Sequence, residues 1–195
     1  MKTIRFKFTG LRPLLMHNGR LSDPMDKHAL ALKKACAKGS KMTEADHRER
    51  DRLEWLGGLY WSEESGGIAL PSDNIEACLQ GGAALSKRKK SFQAGVLVSE
   101  HAVAVHHRMA GKSPEDMLAN PAYTLRVGTK LNGKTRITRV RPMLPPGWTV
   151  EFTVEFEPSI VNESAIIEAA TDAGAIVGLG DWRPKFGRFS VEVLR

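Results

Sequence analysis

Cysteine is nearly missing from this chain, with 2 in 195 residues, Cys36 and Cys78. Each falls in an apolar helical pattern, so both are expected as buried, reduced thiols and not as a disulfide. There is no C-x-x-C pair and no H-E-x-x-H, which leaves the 6 histidines without a metal-binding spacing. No metal and no cofactor is expected. No apolar run approaches the length of a membrane span, and Lys2–Phe8 alternates like a strand where a secretory signal would run from charge into an apolar stretch. The expectation is a cytoplasmic protein without membrane contact. Long-period repeats and low-complexity tracts are absent too. An apolar content of 42% with 26% charged residues excludes a disordered chain. The length suits one domain over 1–195 that buries its own core.

Acid is absent where it matters most. Between Asp116 and Glu151 there is none, while Arg126, Lys130, Lys134, Arg136, Arg139 and Arg141 are all present. Lys87-Arg88-Lys89-Lys90 forms a second cluster. The net charge of +7 is therefore concentrated, and concentrated positive charge attracts polyphosphate.

Along the chain, Ile4, Phe6 and Phe8 mark a strand with one buried face, ended by Gly10. Asp23 with Pro24 opens a helix carrying Met25, Ala29, Leu32 and Cys36 on one face. Thr43 with Asp46 starts a largely charged helix, anchored by Leu53, Trp55 and Leu56. Residues 59–61 and 68–70 read as a small hairpin. A helix from Ser72 or Asp73 follows, with Asp73 and Glu76 at capping-box spacing and Ile75, Cys78, Leu79 and Leu85 facing the core. Its Gly81-Gly82 pair predicts close approach by another backbone. Val96 to His107 reads as a strand or a bent pair of strands. Ser113 caps a short helix, and Tyr123–Arg141 is a hairpin turning at Asn132-Gly133. With Arg139 and Arg141 on one face and Lys134 and Arg136 on the other, that hairpin is expected to project from the body. Val150, Phe152, Val154 and Phe156 alternate as a half-buried strand, Asn162 caps a helix, and Val191 and Val193 lie in a last strand. The order predicts an α+β, ferredoxin-like (RRM-like) βαββαβ core with two large insertions, at about 11–71 and 108–147.

Before the last strand stands Gly178-Leu-Gly-Asp-Trp-Arg-Pro-Lys-Phe-Gly-Arg-Phe189. Its glycines permit close approach, and its N–H groups together with Arg183, Lys185 and Arg188 suit a phosphate. The same glycines, with Trp182 and Phe186, suit a turn packed on the core.

Taken together, Gly10-Leu-Arg-Pro-Leu-Leu-Met-His17, Ile68-Ala-Leu-Pro-Ser-Asp-Asn-Ile-Glu-Ala-Cys78 and the glycine-rich loop resemble segments of the RAMP superfamily, the ferredoxin-like proteins that hold guide RNA in CRISPR effector complexes. The resemblance implies a non-enzymatic subunit that binds single-stranded RNA, or single-stranded DNA in a phage or mobile-element version. Copies of itself and other effector subunits are the implied partners, and 123–141 takes the place of a projecting thumb. The binding residues would be Lys87, Arg88, Lys89, Lys90, Arg126, Lys130, Lys134, Arg136, Arg139, Arg141, Arg183, Lys185 and Arg188. A competing reading is a metal-independent endoribonuclease of the same superfamily, with His17, His106 or His107 as general acid or base. Some members instead cut RNA with an aspartate after the first strand, where Asp23 and Asp26 stand. A third reading is a protein-interaction subunit whose charge serves solubility.

Overall fold

The N-terminal alternation folds as expected into β1 (Lys2–Gly10), with Ile4, Phe6 and Phe8 buried and Thr3 and Arg5 exposed. β2 (Leu14–Leu15), α1 (Lys27–Ala35), α2 (Glu44–Gly58), β3 (Trp61–Ser62) and β4 (Gly67–Pro71) follow. Next come α3 (Ser72–Leu85), α4 (Lys89–Gly95), β5 (Val96–Val98), β6 (Ala102–His106) and α5 (Pro114–Ala119). The chain ends with β7 (Thr124–Leu131), β8 (Thr135–Leu144), β9 (Thr149–Phe156), α6 (Glu163–Asp172) and β10 (Phe189–Leu194). The computed structural model describes residues 1–131 and 135–194, and of residues 130, 131, 135 and 136 the backbone alone. The described chain forms two compact units: Met1–Leu15, Trp61–Gly111 and Pro145 onward make the first, and Met16–Tyr60 with Lys112–Leu144 make the second. The segments of the second unit lie inside the two stretches expected as insertions.

In the first unit the strands run in the order β10-β1-β9-β6-β4-β3, with β5 also on β9. The core sequence β1, α3, β5/β6, β9, α6, β10 is the expected ferredoxin-like order, and the small hairpin β3–β4 widens the sheet beyond β6. The second core strand is broken in two. β5 pairs Val98 with Val154, and β6 resumes at Val105 opposite Val150. Across the gap the Ser99 N–H donates to the Thr153 carbonyl at 2.9 Å, and the Glu100 carboxylate accepts from the Thr153 N–H at 3.0 Å. The bend therefore leaves these backbone groups satisfied.

Phe6, Phe8, Phe152 and Phe189 form the centre of the core, Phe8 stacking on Phe189 at 4.1 Å and meeting Phe152 edge-on at 4.8 Å. Burial of each ring contributes on the order of 2 kcal/mol. A Cβ at Gly82 would stand 2.0 Å from the Ala169 carbonyl oxygen, so α3 and α6 touch backbone to backbone there, as the glycine pair predicts. Two expectations for α3 fail. Leu85 is 53% exposed on the last turn, and Glu76 does not close a capping box but accepts the Val98 N–H at 2.8 Å. The carboxylate is thus taken by the end of β5 and not by the helix's own N-terminus.

In the second unit, Thr43 and Asp46 form the predicted capping box of α2, and Ser113 and Asp116 form another on α5. The Lys38 ammonium and the Thr43 donors hold Asp46 at a pKa of about 2. Trp55 is buried and its indole N–H donates to the Tyr123 carbonyl at 3.0 Å. The Arg20 guanidinium closes the other end of α2, donating to the carbonyls of Leu56, Gly57 and Leu59 at 2.8–2.9 Å. It is a cation placed where the helix dipole favours one. The first helix begins later than expected because Asp26, not Asp23, caps it, accepting from the His28 N–H at 2.7 Å. Asp23 accepts from Met25 in the preceding turn. No residue of α1 is buried, and Cys36 is exposed, contrary to the expectation of a buried thiol.

Candidate nucleic-acid interface

The glycine-rich loop is bound inward by its backbone. Gly178, Gly180 and Gly187 have φ of 83°, 82° and 75°. A Cβ on Gly180 would stand 2.4 Å from the Leu15 carbonyl oxygen, and one on Gly187 1.7 Å from that of Leu179. The Leu179 N–H donates to Gly187, the Asp181 N–H to Leu15 and the Gly187 N–H to Pro13, all at 2.8–2.9 Å, while Leu11 and Arg12 both donate to the Arg188 carbonyl. The segment after β1 and this loop thus lock together, two of the three stretches that carry the family resemblance. Trp148, which sequence reasoning passed over, completes the joint. Its buried ring lies where a Gly10 Cβ would be, at 2.2 Å, and its indole N–H donates to the Arg12 carbonyl at 2.9 Å. The N–H groups of Leu179, Asp181 and Gly187 are therefore spent within the fold and do not form a phosphate cradle. The cations of the loop face out: Arg183, Lys185 and Arg188 are exposed, with the Arg188 Nε–H on the Pro184 carbonyl at 3.1 Å and the Lys185 ammonium 5.8 Å from the Phe186 ring centre. Trp182 is half-buried, 6.3 Å from Phe186.

The second cluster sits where α3 ends. Lys87, Arg88, Lys89 and Lys90 are all exposed. The Lys87 N–H donates to Ala84 and the Arg88 N–H to Ala83, the paired bonds of a Schellman cap, which put Lys87 at φ 60°. Glycine usually fills that position, and a lysine there costs roughly 1 kcal/mol. Arg88 pairs with Glu168 at 2.8 Å, whereas Lys87, Lys89 and Lys90 enter no ion pair among the described residues.

The hairpin β7–β8 forms as expected, paired from Thr124 opposite Pro142 to Leu131 opposite Thr135, one residue away from the register in which a two-residue Asn132-Gly133 turn would pair Leu131 with residue 134. The Asn132-Gly133 turn and Lys134 lie outside the described residues, as do the side chains of Lys130 and Arg136. Of the remaining cations the fold keeps most for itself. Glu54, on α2 and only 3% exposed, accepts from Arg139 at 3.2 Å, Arg141 at 3.1 Å and the Val140 N–H at 3.2 Å. Arg141 is itself buried, and Arg126 pairs with Asp51. The base of the hairpin is thus not the free polar ribbon expected from its pattern. Val140 and Leu144 are core, and Arg141 leaves the solvent-facing set because a buried carboxylate neutralises it. Glu54 went unrecognised in a helix that reads as largely charged, where nothing local sets it apart from its neighbouring acids.

The candidate histidines and aspartates divide between the two units, His106 and His107 in the first and His17, Asp23 and Asp26 in the second. His17 is exposed in the second unit, its carbonyl accepting from the Tyr60 hydroxyl at 3.2 Å. His106 is exposed and His107 half-buried in the first unit, where burial and then the neighbouring His106 lower the His107 pKa. His107 Nδ1 accepts the Met109 N–H at 3.3 Å. Asp23 and Asp26 are turn and cap residues, as described above. Among the described residues no three His, Cys, Asp or Glu side chains gather so as to hold a metal, and no helix is long and apolar enough to cross a membrane.

A further basic stretch escaped the sequence reading. From Lys27 to Thr43 there is no acid, and Lys27, Lys33, Lys34, Lys38 and Lys41 all lie on or just after α1, every one exposed. The signal was the same as for 117–150, an acid-free window.

No family model and no curated protein matches this chain. A solved structure does. It is a chain in the cryo-EM structure of the Type III-B Cmr-beta bound to cognate target RNA, matched with a TM-score of 0.57 at 10% identity over 100% of this chain. The two share a fold. This chain spans 61% of the length of that Cmr-beta chain.

Proposed function

We propose that this chain binds single-stranded RNA through its phosphate backbone, without cutting it, as a RAMP-type subunit of a multi-subunit CRISPR ribonucleoprotein assembled from copies of itself and other subunits. The observation that carries the reading is the division of labour in the glycine-rich loop and the α3 cap. The N–H groups of Leu179, Asp181, Gly187, Lys87 and Arg88 are engaged inward, while Lys87, Lys89, Lys90, Arg183, Lys185 and Arg188 are exposed and enter no ion pair among the described residues. Lysine at a position suited to glycine is a local cost that a bound phosphate offsets. The shared fold with a chain from an RNA-bound Cmr-beta structure supports the same reading. Contacts of this type give affinity without sequence choice and weaken steeply with salt. The test is fluorescence anisotropy with mixed-sequence single-stranded RNA. Tight binding at low salt, an affinity that drops as salt rises and intact RNA after incubation are expected. Absence of binding at low salt overturns the proposal, and cleavage in the presence of EDTA that disappears in His17→Ala moves the chain to the nuclease class.

A further inference from the structure

Among the described side chains, the second unit spends its arginines on its own groups: Arg20 on the carbonyls that end α2, Arg126 on Asp51, and Arg139 and Arg141 on Glu54. Its lysines are treated differently. Of Lys27, Lys33, Lys34, Lys38 and Lys41, Lys38 is paired, with Asp46 at 2.6 Å, and the other lysines enter no ion pair among the described residues. Lys33 and Lys34 lie in the last turn of α1, where the helix dipole favours them, but Lys27 lies in the first turn, where it is disfavoured. Helix stability alone therefore does not account for the set. Leu30, 48% exposed, stands in the same stripe.

We propose that α1 and the turn after it, through Lys27, Lys33, Lys34 and Lys41, form the phosphate-contacting surface of the second unit, in place of the base of the hairpin. The inference rests on the RNA-binding reading above and adds a contact to it. A nucleic-acid strand fits the patch better than an acidic protein does. Lysine is depleted from protein–protein interfaces, which rely on tyrosine, tryptophan and arginine anchors, and this stripe holds none of those between Lys27 and Thr43. Flexible ammonium groups are point charges that follow a phosphate chain in many registers. The arrangement predicts affinity that is indifferent to sequence.

The experiment compares three proteins by anisotropy with one mixed-sequence single-stranded RNA across a salt series: wild type, the quadruple variant Lys27→Gln/Lys33→Gln/Lys34→Gln/Lys41→Gln, and the triple variant Lys87→Gln/Lys89→Gln/Lys90→Gln. If each lysine meets a phosphate, the quadruple variant loses about 0.7 per lysine from the log–log salt slope, roughly 3 in all, and its affinity falls at least tenfold at low salt. Circular dichroism checks its fold, and the single Lys34→Gln, a change on an exposed side chain, gives the same reading at about 0.7 should the quadruple variant unfold. Unchanged affinity and slope in the α1 variants, with binding lost in the triple variant, overturns this inference and leaves the function standing. Labelled polyglutamate is titrated in parallel, and loss of its binding in the quadruple variant with RNA affinity intact overturns the inference in favour of an acidic protein partner. Failure of wild type itself to bind removes the reading on which it rests.

Discussion

Lys87 and the two thiols show how one residue's surroundings set its behaviour. Lys87 holds φ 60° because the cap of α3 needs a left-handed residue at that point. Lys87→Gly should therefore raise stability by about 1 kcal/mol, measured by denaturant unfolding, while weakening RNA binding. A gain in stability with no loss of affinity would make Lys87 a tolerated misfit and not a contact. The cysteines differ just as sharply. Cys78 is fully buried, its thiol donates to the Gly178 carbonyl at 3.1 Å, and burial pushes its pKa up to about 12. Cys36 is exposed. The native protein should react with a soluble thiol reagent at Cys36 alone, and Cys78 should become reactive only on unfolding; Cys36→Ser abolishing the fast reaction is the check.

At the level of elements, the closest packing lies between α3 and α6. Gly82→Ala sets a methyl group against the Ala169 carbonyl, a backbone atom that no side-chain rotation can move. A loss of about 3 kcal/mol is expected, seen as a fall in the unfolding midpoint, against a much smaller change for Gly81→Ala, whose neighbour is the Val177 side chain. The hairpin makes the complementary point. Removing Glu54 takes a carboxylate from the buried Arg141 and from the Val140 N–H, so Glu54→Ala should destabilise the protein by on the order of 3 kcal/mol. Replacing Arg139 and Arg141 to test RNA contact would accordingly disturb the fold before it reported on binding. Alternating sequence placed β7 and β8 correctly, because strand pattern is a local signal, but not their register, which is one residue away from that of a two-residue turn at Asn132-Gly133. It could not show that a glutamate in a charged helix neutralises the hairpin's arginines, because that pairing joins residues 54 and 141 and leaves no local trace.

For the molecule as a whole, the core order was legible in the sequence because its strands alternate and its helices carry caps, and a bent second strand and a packed glycine loop were among the readings it offered, whereas the partners that hold them, Thr153 for the bend and Leu15 for the loop, are distant in the chain and left no local signal. Charge was legible as clusters but not as free charge. Net +7 says nothing about which cations are already neutralised, and several of the hairpin's are. The same separation governs the response to pH. His107 has a folded pKa below its usual 6.5, so the unfolded chain takes up the proton first as pH falls. Its contribution is complete above the unfolded pKa and is lost as pH drops through it toward the folded value. Asp46, Asp116, Glu49 and Glu157 have lowered values because hydrogen bonds hold their charged forms, those of Asp46 from Lys38 and Thr43, that of Glu49 from Arg52. Their contribution is present above the unfolded carboxylate range and is lost as pH falls toward the folded values. The thermal midpoint should stay level from pH about 7 to about 8, decline in a first step below about 6.5, fall again below about 4, and decline above about 9, where the unfolded Cys78 thiol ionises before the buried one. His107→Gln should remove the first step and leave the second. A first step that survives that substitution would assign the titration to another group.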